Sequence, residues 1–349
     1  VRCTMKKLLL PISWIYSVVL FIRHKLYDWN ILHSEGCDKP SICVGNLSLG
    51  GTGKTPHIEY LIEHLSPTKR LSVLSRGYGR KSKGLVIAKE GMTYKDIGDE
   101  PFQYFTKYNN ITVAVDENRV EGCKYLINNT DTEVILLDDA YQHRKIIPGL
   151  NILLTEFYNI YPKDYLLPAG KLRDIRYAAK RADIIVITKS PKVLSPFIQK
   201  DIFNKIKPLP HQKILYSYID FLSFKPLNSA AASIALQNIK SVLLFCGIAN
   251  PVPFEEYIKE NYNTLSTIYF KDHHDFSESD IDNIITNYND MIGKNKIIIT
   301  TEKDAMRLIK SSYLCKFEKT PLFTIKVSFH KNDKQVFDNE ILSYVRRNT

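Results

Sequence analysis

The chain has no closely spaced cysteines. Its six, Cys3, Cys37, Cys43, Cys123, Cys246 and Cys315, are scattered and form no CxxC. That argues against a disulfide framework and a zinc site and points to a reducing compartment. Neither an internal repeat nor a low-complexity tract is present, so solenoid and fibrous architectures are set aside. Long apolar runs are also scarce. The uncharged stretch Leu8–Ile22 is broken by Pro11 and is marginal for spanning a bilayer. No small-residue cleavage site follows it, so a removed signal peptide is not expected. Acidic residues are in deficit, 37 against 48 Lys and Arg, for a net charge of +11. Such a balance calls for acidic partners: an anionic membrane face, phosphorylated ligands or nucleic acid. With 349 residues, 44% of them hydrophobic, the chain has length for about two domains and a real core.

What is present centres on 41–57, SICVGNLSLGGTGKTPH. Ser41–Val44 is a short apolar run that predicts a buried strand. Gly50, Gly51, Thr52, Gly53, Lys54 and Thr55 follow, then Ile58, Leu61, Ile62 and Leu65 at helical spacing. Strand, glycine loop, Gly-Lys-Thr and helix is the order a phosphate-binding P-loop requires. Glycines let backbone N–H groups converge on phosphate oxygens, and the new helix adds its positive end. Lys54 is expected on the β- and γ-phosphates and Thr55 on Mg²⁺. Pro56 fits the first helical turn, where its missing N–H goes unused. One position departs from the consensus: Ser48 stands where glycine is usual.

Val1–Thr4 precede Met5 and read as an upstream extension. Leu8–Ile22 is flanked by Lys6, Lys7, Arg23, His24 and Lys25 and contains Trp14 and Tyr16. This pattern predicts a helix lying on a membrane surface, with the globular part on the cytoplasmic side. Its bland alternative is a core helix. Further strands are predicted at Leu71–Leu74, Ile111–Val115, Glu133–Leu137, Leu150–Leu154 and Asp183–Thr188, with helical segments between them. Glu133–Leu137 ends in Asp138-Asp139, where P-loop enzymes place a second Mg²⁺ contact. After Leu71–Leu74 comes the basic, glycine-containing 75–83 loop with Arg76 and Tyr78. Past about Leu215 the rhythm restarts, with 221–233 as a linker and strands at Val242–Phe245 and Lys296–Thr300. The expected architecture is α/β: a P-loop NTPase-like, doubly wound, mostly parallel sheet with a second, smaller α/β domain and an N-terminal membrane-associated helix. Boundaries are expected at 1–30, 31–215 and 216–349.

The motifs GNLSLGGTGKTP, LSRGYGRKSKG, GDEPF, DENR, DDAYQHRK, LLPAGKLRD, FCGIANP, DHHDF and TEKDAMRL stand in that order. Together the chain resembles the tetraacyldisaccharide 4′-kinases of lipid A biosynthesis. The resemblance implies an inner-membrane-associated kinase using ATP and Mg²⁺. Its acceptor would be the 4′-hydroxyl of a tetraacylated glucosamine disaccharide 1-phosphate, with no nucleic acid partner and no oligomer implied. Asp99 matches the family's proposed base and His273 the histidine thought to pair with it, with Asp272 beside it and Arg119 among the catalytic positions. Asn46, Arg76, Tyr78, Gln142, His143 and Arg173 match positions linked to substrate. Asp138, Asp139 and Asp174 match positions near the metal. The family's DDG is Asp138-Asp139-Ala140 here. Its LREP is Leu172-Arg173-Asp174-Ile175, so Asp174 is one methylene shorter than the usual glutamate. On residues alone Asp99 reads as a helix N-cap and His273-His274 as a polar loop. A rival of another class is a membrane-tethered P-loop nucleotide switch that phosphorylates no lipid. A metal-dependent phosphoesterase, suggested by Asp272-His273-His274, leaves the P-loop unexplained.

Overall fold

Every residue of the Ser41–Asn46 strand is buried. Ile42 and Val44 pack on one side with Ile58, Leu61 and Ile62 of the following helix. Cys43 packs on the other side with Leu137 and Leu153. Both faces of the sheet are therefore covered, which is why its strands read as unbroken apolar runs and not as alternating ones. The structure is a computed structural model and describes residues 2–218, 224–248, 251–262, 264–271, 274–293, 295–309, 313–325, 328–329 and 331–348.

Among the described residues the main sheet has nine strands. From the edge strand Ser328–Phe329 they run Lys213–Tyr218, Ile184–Thr188, Leu150–Glu156, Ser41–Asn46, Val134–Asp138, Leu71–Ser75, Ile111–Val115 and Val86–Ile87. The ladders from Lys213–Tyr218 across to Ile111–Val115 are parallel, and Val86–Ile87 closes that edge antiparallel. From Ser41–Asn46 the chain crosses over Val134–Asp138 to Leu71–Ser75, while Leu150–Glu156 lies on its other side. The P-loop strand thus sits at a topological switch point, where the strand C-termini leave a crevice for a ligand.

The chain divides into two compact units, Val1–Ile219 with Phe329–Thr349, and Asp220–Ser328. This corrects the boundary expected at 216–349. The C-terminal helix Lys331–Asn348 belongs with the larger unit because Phe337, Ile341 and Val345, one helical face, are buried in the cluster around Ile58 and Ile62. Polar ties accompany them. Tyr216 N donates to Asp333 Oδ2 at 2.6 Å, and Ser41 N donates to Tyr344 Oη at 3.0 Å.

Among its described residues the second unit carries a five-stranded sheet, in the order Phe224–Pro226, Leu322–Ile325, Lys296–Thr301, Ser241–Cys246, Thr264–Tyr269. It is parallel except for Phe224–Pro226, which pairs antiparallel with Leu322–Ile325. Part of the expected 221–233 linker is therefore structured: Phe224–Pro226 is an edge strand and Ser229–Ala232 a short helix.

The N-terminal helix, Arg2–Asp28, is likewise part of the larger unit. Ser13, Leu20, His24 and Tyr27 form a buried stripe on it. Trp14 and Ile15 are 71% and 68% exposed on its other side. Among the described residues, Leu9–Asp28 is the one helix long and apolar enough to cross a membrane.

Phe337→Ala should lower the stability of the larger unit by about 3–5 kcal/mol, the usual cost of emptying a core aromatic site. Denaturant unfolding of the full chain measures this. A loss under about 1 kcal/mol would place the C-terminal helix outside that core.

Candidate active site

The turn after Ser41–Asn46 needs backbone that only glycine adopts freely. Gly53, the residue before the helix Lys54–Leu65, sits at φ 89°, ψ 26°. No side chain caps that helix end, so its first N–H groups are left for a ligand. Below it, His57 closes the turn. Its Nδ1 is 2.6 Å from Gly53 O, a pure acceptor, so Nδ1 carries the proton. Nε2 then accepts from Ser217 Oγ at 3.2 Å. Burial holds the imidazole neutral, with its pKa lowered to about 4. A charged ring there would oppose the positive end of the helix.

The neighbouring strand delivers the acidic pair. Val44 lies in register with Asp138, and Asp139 N donates to Val44 O at 3.0 Å. Asp139 then turns out of the strand with φ 51°. Its carboxylate lies 3.8 Å from Lys54 Nζ and is gripped in a fork by Arg173, with Nη1 at 3.1 Å from Oδ2 and Nη2 on Oδ1. Burial opposes its ionisation, but Lys54, Arg173 and Arg119 outweigh that and hold the carboxyl below its ordinary range. Asp138 is pushed the other way, by burial first and then by Glu100 and Asp139. It accepts from Ser75 Oγ at 3.2 Å and from Tyr104 Oη at 3.4 Å. Tyr104 is fully buried.

Asn46, Gln142 and Arg173, expected to touch substrate, are bonded to one another around the P-loop. Asn46 is fully buried. Its Nδ2 donates to Thr52 Oγ1 at 2.7 Å, its Oδ1 accepts from Arg173 Nη2 at 2.6 Å, and its backbone O accepts from Gln142 Nε2 at 2.5 Å.

The basic loop after Leu71–Ser75 packs on the start of the Asp99–Lys107 helix. A Cβ on Gly98 would lie 3.0 Å from Gly77 Cα and from Tyr78 O, so the two backbones meet only because that side chain is absent. Asp99 is the first residue of this helix and Gly98 its N-cap, which corrects the bland reading of Asp99 as the cap. Glu59 of the P-loop helix fixes the same helix through Lys107 Nζ at 2.7 Å and Gln103 Nε2 at 2.9 Å. Arg119 opens the next helix, is buried, and donates to Asp116 O at 2.9 Å, while its Nε has no partner among the described residues. The His143 pKa falls to about 4, through burial first and then the cations Arg119, Lys145, Arg23 and Arg76. Its buried Nε2 also lacks a partner among the described residues. Arg76, Arg119 and His143 therefore share one basic neighbourhood, with Tyr78 exposed on the adjoining loop.

Asp174 stands at a position expected near the metal. Its carboxylate is buried against the N-terminal helix, Oδ1 at 2.6 Å from His24 Nε2. Asp272 and His273 lie outside the described residues. Sequence reasoning missed Tyr104, Glu100 and His24. Tyr104 and Glu100 share a short amphipathic helix where a tyrosine reads as plain core, and only the fold places them under Asp138.

No group of three or more His, Cys, Asp or Glu stands ready to hold a metal among the described residues. Mg²⁺ does not require one, since it keeps waters and shares phosphate oxygens with one or two protein groups. Thr55 with Asp138, whose burial among acids a cation would relieve, fits that donor set.

A family model for tetraacyldisaccharide-1-P 4′-kinase matches residues 5–346. A tetraacyldisaccharide 4′-kinase of Flavobacterium johnsoniae is 44% identical over 99% of this chain and 98% of its own length. Its counterpart in Bacteroides thetaiotaomicron is 41% identical over 98% and 94%. Among solved structures, the "apo" form of LpxK from Aquifex aeolicus in complex with ATP aligns with TM-score 0.74 and 28% identity, covering 98% of this chain and 99% of that one.

His57 gives the site a pH signature. Its folded pKa of about 4 lies below its ordinary 6.5, so the unfolded chain takes up that proton first as pH falls. The contribution is complete above pH 6.5 and drains away between 6.5 and about 4, by about 3 kcal/mol. Unfolding measured across that range should be steeper with pH in the wild type than in His57→Asn. Parallel curves would mean that the ring titrates alike in the folded and unfolded chain, against its being held neutral by burial.

Proposed function

The chain belongs to the tetraacyldisaccharide-1-P 4′-kinase family, and from that membership we propose how its residues move the γ-phosphate of ATP onto the 4′-hydroxyl of a tetraacylated glucosamine disaccharide 1-phosphate. The observation that carries this account is Lys54 at the open end of the P-loop helix, 3.8 Å from Asp139 and one residue before Thr55.

The loop's N–H groups and the helix end bind the phosphates of ATP, and Lys54 places a point charge on the migrating phosphoryl group. Thr55 and Asp138 would hold Mg²⁺, which when bound supplies charge neutralisation on the β- and γ-phosphate oxygens. Asp139 keeps Lys54 aimed at the loop and is itself kept ionised by Arg173. Asp99, in the first turn of its helix, takes the proton from the acceptor hydroxyl at its carboxylate. Arg76 and Arg119 supply the positive field for the anionic lipid. His143 stays neutral there, so its open Nε2 directs a hydrogen bond and does not add to the charge. Phosphoryl transfer asks mainly for positioning and charge neutralisation, and these residues provide both.

The exposed apolar side of the N-terminal helix, with Trp14, Ile15, Val18 and Ile22, supports a monotopic seat on the cytoplasmic face of the bacterial inner membrane. An acyl-chain substrate resident in that leaflet would meet the enzyme there.

ATP consumption by the full chain should depend on the disaccharide acceptor. Acceptor-independent hydrolysis would favour the nucleotide-switch reading. Lys54→Ala should nearly abolish transfer. Asp99→Asn should lower kcat by about 10²–10⁴-fold while leaving ATP affinity within a few-fold. Normal turnover in Asp99→Asn would remove it as the base.

A further inference from the structure

The N-terminal helix touches the segment that clamps the P-loop. Ser13 Oγ donates to Leu166 O at 2.9 Å and accepts from Ala169 N at 3.1 Å. Tyr16 Oη donates to Arg173 O at 3.2 Å. His24 Nε2 lies 2.6 Å from Asp174 Oδ1, and both side chains are 1% exposed. Arg144 Nη1 is 3.0 Å from His24 Nδ1 and can only donate, so Nδ1 accepts and Nε2 carries the proton given to Asp174. Asp174 Oδ1 also accepts from Ile175 N at 2.8 Å, and Oδ2 faces Arg181 at 3.8 Å.

That same segment holds the phosphate loop from the other side. Leu49 N donates to Lys171 O at 2.7 Å and Arg173 N to Leu47 O at 2.8 Å. The Arg173 side chain then forks onto Asp139 and reaches Asn46, which holds Thr52. Helix and P-loop are separated by one residue step, from Asp174 to Arg173. A buried pair that joins two elements is costly to break from one side, because the survivor is left uncompensated. It therefore transmits position well.

We propose that His24 and Asp174 are positioning residues that lock the N-terminal helix to the P-loop clamp, so that the seating of this helix sets nucleotide affinity, and that Asp174 acts through Arg173 and not on the metal. This rests on the nucleotide-binding reading of the P-loop.

The test is MgATP binding to the full chain in detergent micelles, followed by calorimetry with ATP and Mg²⁺ as probes, alongside a melting curve. The double variant His24→Phe/Asp174→Leu removes both members of the pair. Its Kd for MgATP should rise about tenfold, as for outer-shell supports generally. Asp174→Asn keeps an acceptor for His24 Nε2–H. It should restore most of that affinity, with the Mg²⁺ requirement for ATP binding within twofold of wild type. Tyr16→Phe removes one hydrogen bond to Arg173 and leaves the core pair intact. It should raise Kd about two- to fivefold, and it decides the matter should the double variant not fold. Wild-type affinity in a folded double variant, or in Tyr16→Phe where the double variant does not fold, overturns the proposal. So does a tenfold higher Mg²⁺ requirement in Asp174→Asn. Failure of the wild type itself to bind MgATP would instead sink the P-loop reading beneath it.

Discussion

The nucleotide site depends on one carboxylate held between two cations. Asp139 leaves its strand in the left-handed region, φ 51°, a conformation that costs an L-residue about 1–2 kcal/mol and that aspartate tolerates better than most. That turn brings the carboxylate within 3.8 Å of Lys54 and into the fork of Arg173. Each cation answers a different need. Lys54 must stay extended at the loop before a phosphate arrives, and Asp139 gives its ammonium a partner there. Arg173 must hold a loop that has few side chains of its own, and its planar fork does so by spanning Asp139 and Asn46 together.

Asp138 and Asp139 are adjacent in sequence and are driven in opposite directions. Asp139 faces cations and stays ionised; Asp138 is buried beside Glu100 and Tyr104 and has its charge disfavoured. The separation follows from the turn between them. Asp138 is the last residue of its strand, and the left-handed backbone at Asp139 carries the second carboxylate out of it, so two carboxylates one residue apart need not share an environment. One holds the resting loop, and the other is poised for a cation that the resting protein does not itself provide.

Much of this was legible in the sequence. The P-loop strand and helix, the parallel core strands and the acidic pair at a strand end all rest on local signals: apolar runs, glycines and a Gly-Lys-Thr spacing. What was not legible is tertiary. Asn46, Gln142 and Arg173 sit in three separate motifs, and nothing in their spacing says that they bond to one another around a backbone loop. Phe337, Ile341 and Val345 form a good helical face, but periodicity does not say which core receives it. The Asp174 carboxylate stands in a motif whose family places a glutamate near the metal. Only the fold shows the shorter side chain meeting His24, 150 residues away in sequence.

The N-terminal helix turns the usual amphipathic logic inside out. Ser13, Tyr16 and His24 face the protein and spend their polar atoms there, while Trp14, Ile15, Val18 and Ile22 face outward. In water the hydrophobic effect favours the opposite rotation, since each large apolar side chain left exposed forgoes roughly 1.5–3 kcal/mol of burial. The observed rotation is held by buried hydrogen bonds that a turned helix would lose, and their partners would then be stranded. Such a helix is at ease only where its outward face meets something apolar. The core contacts of this segment are therefore compatible with the membrane-surface reading. The polar stripe makes it part of the core, and that same stripe, by occupying the inward side, leaves the apolar residues nowhere to go but out.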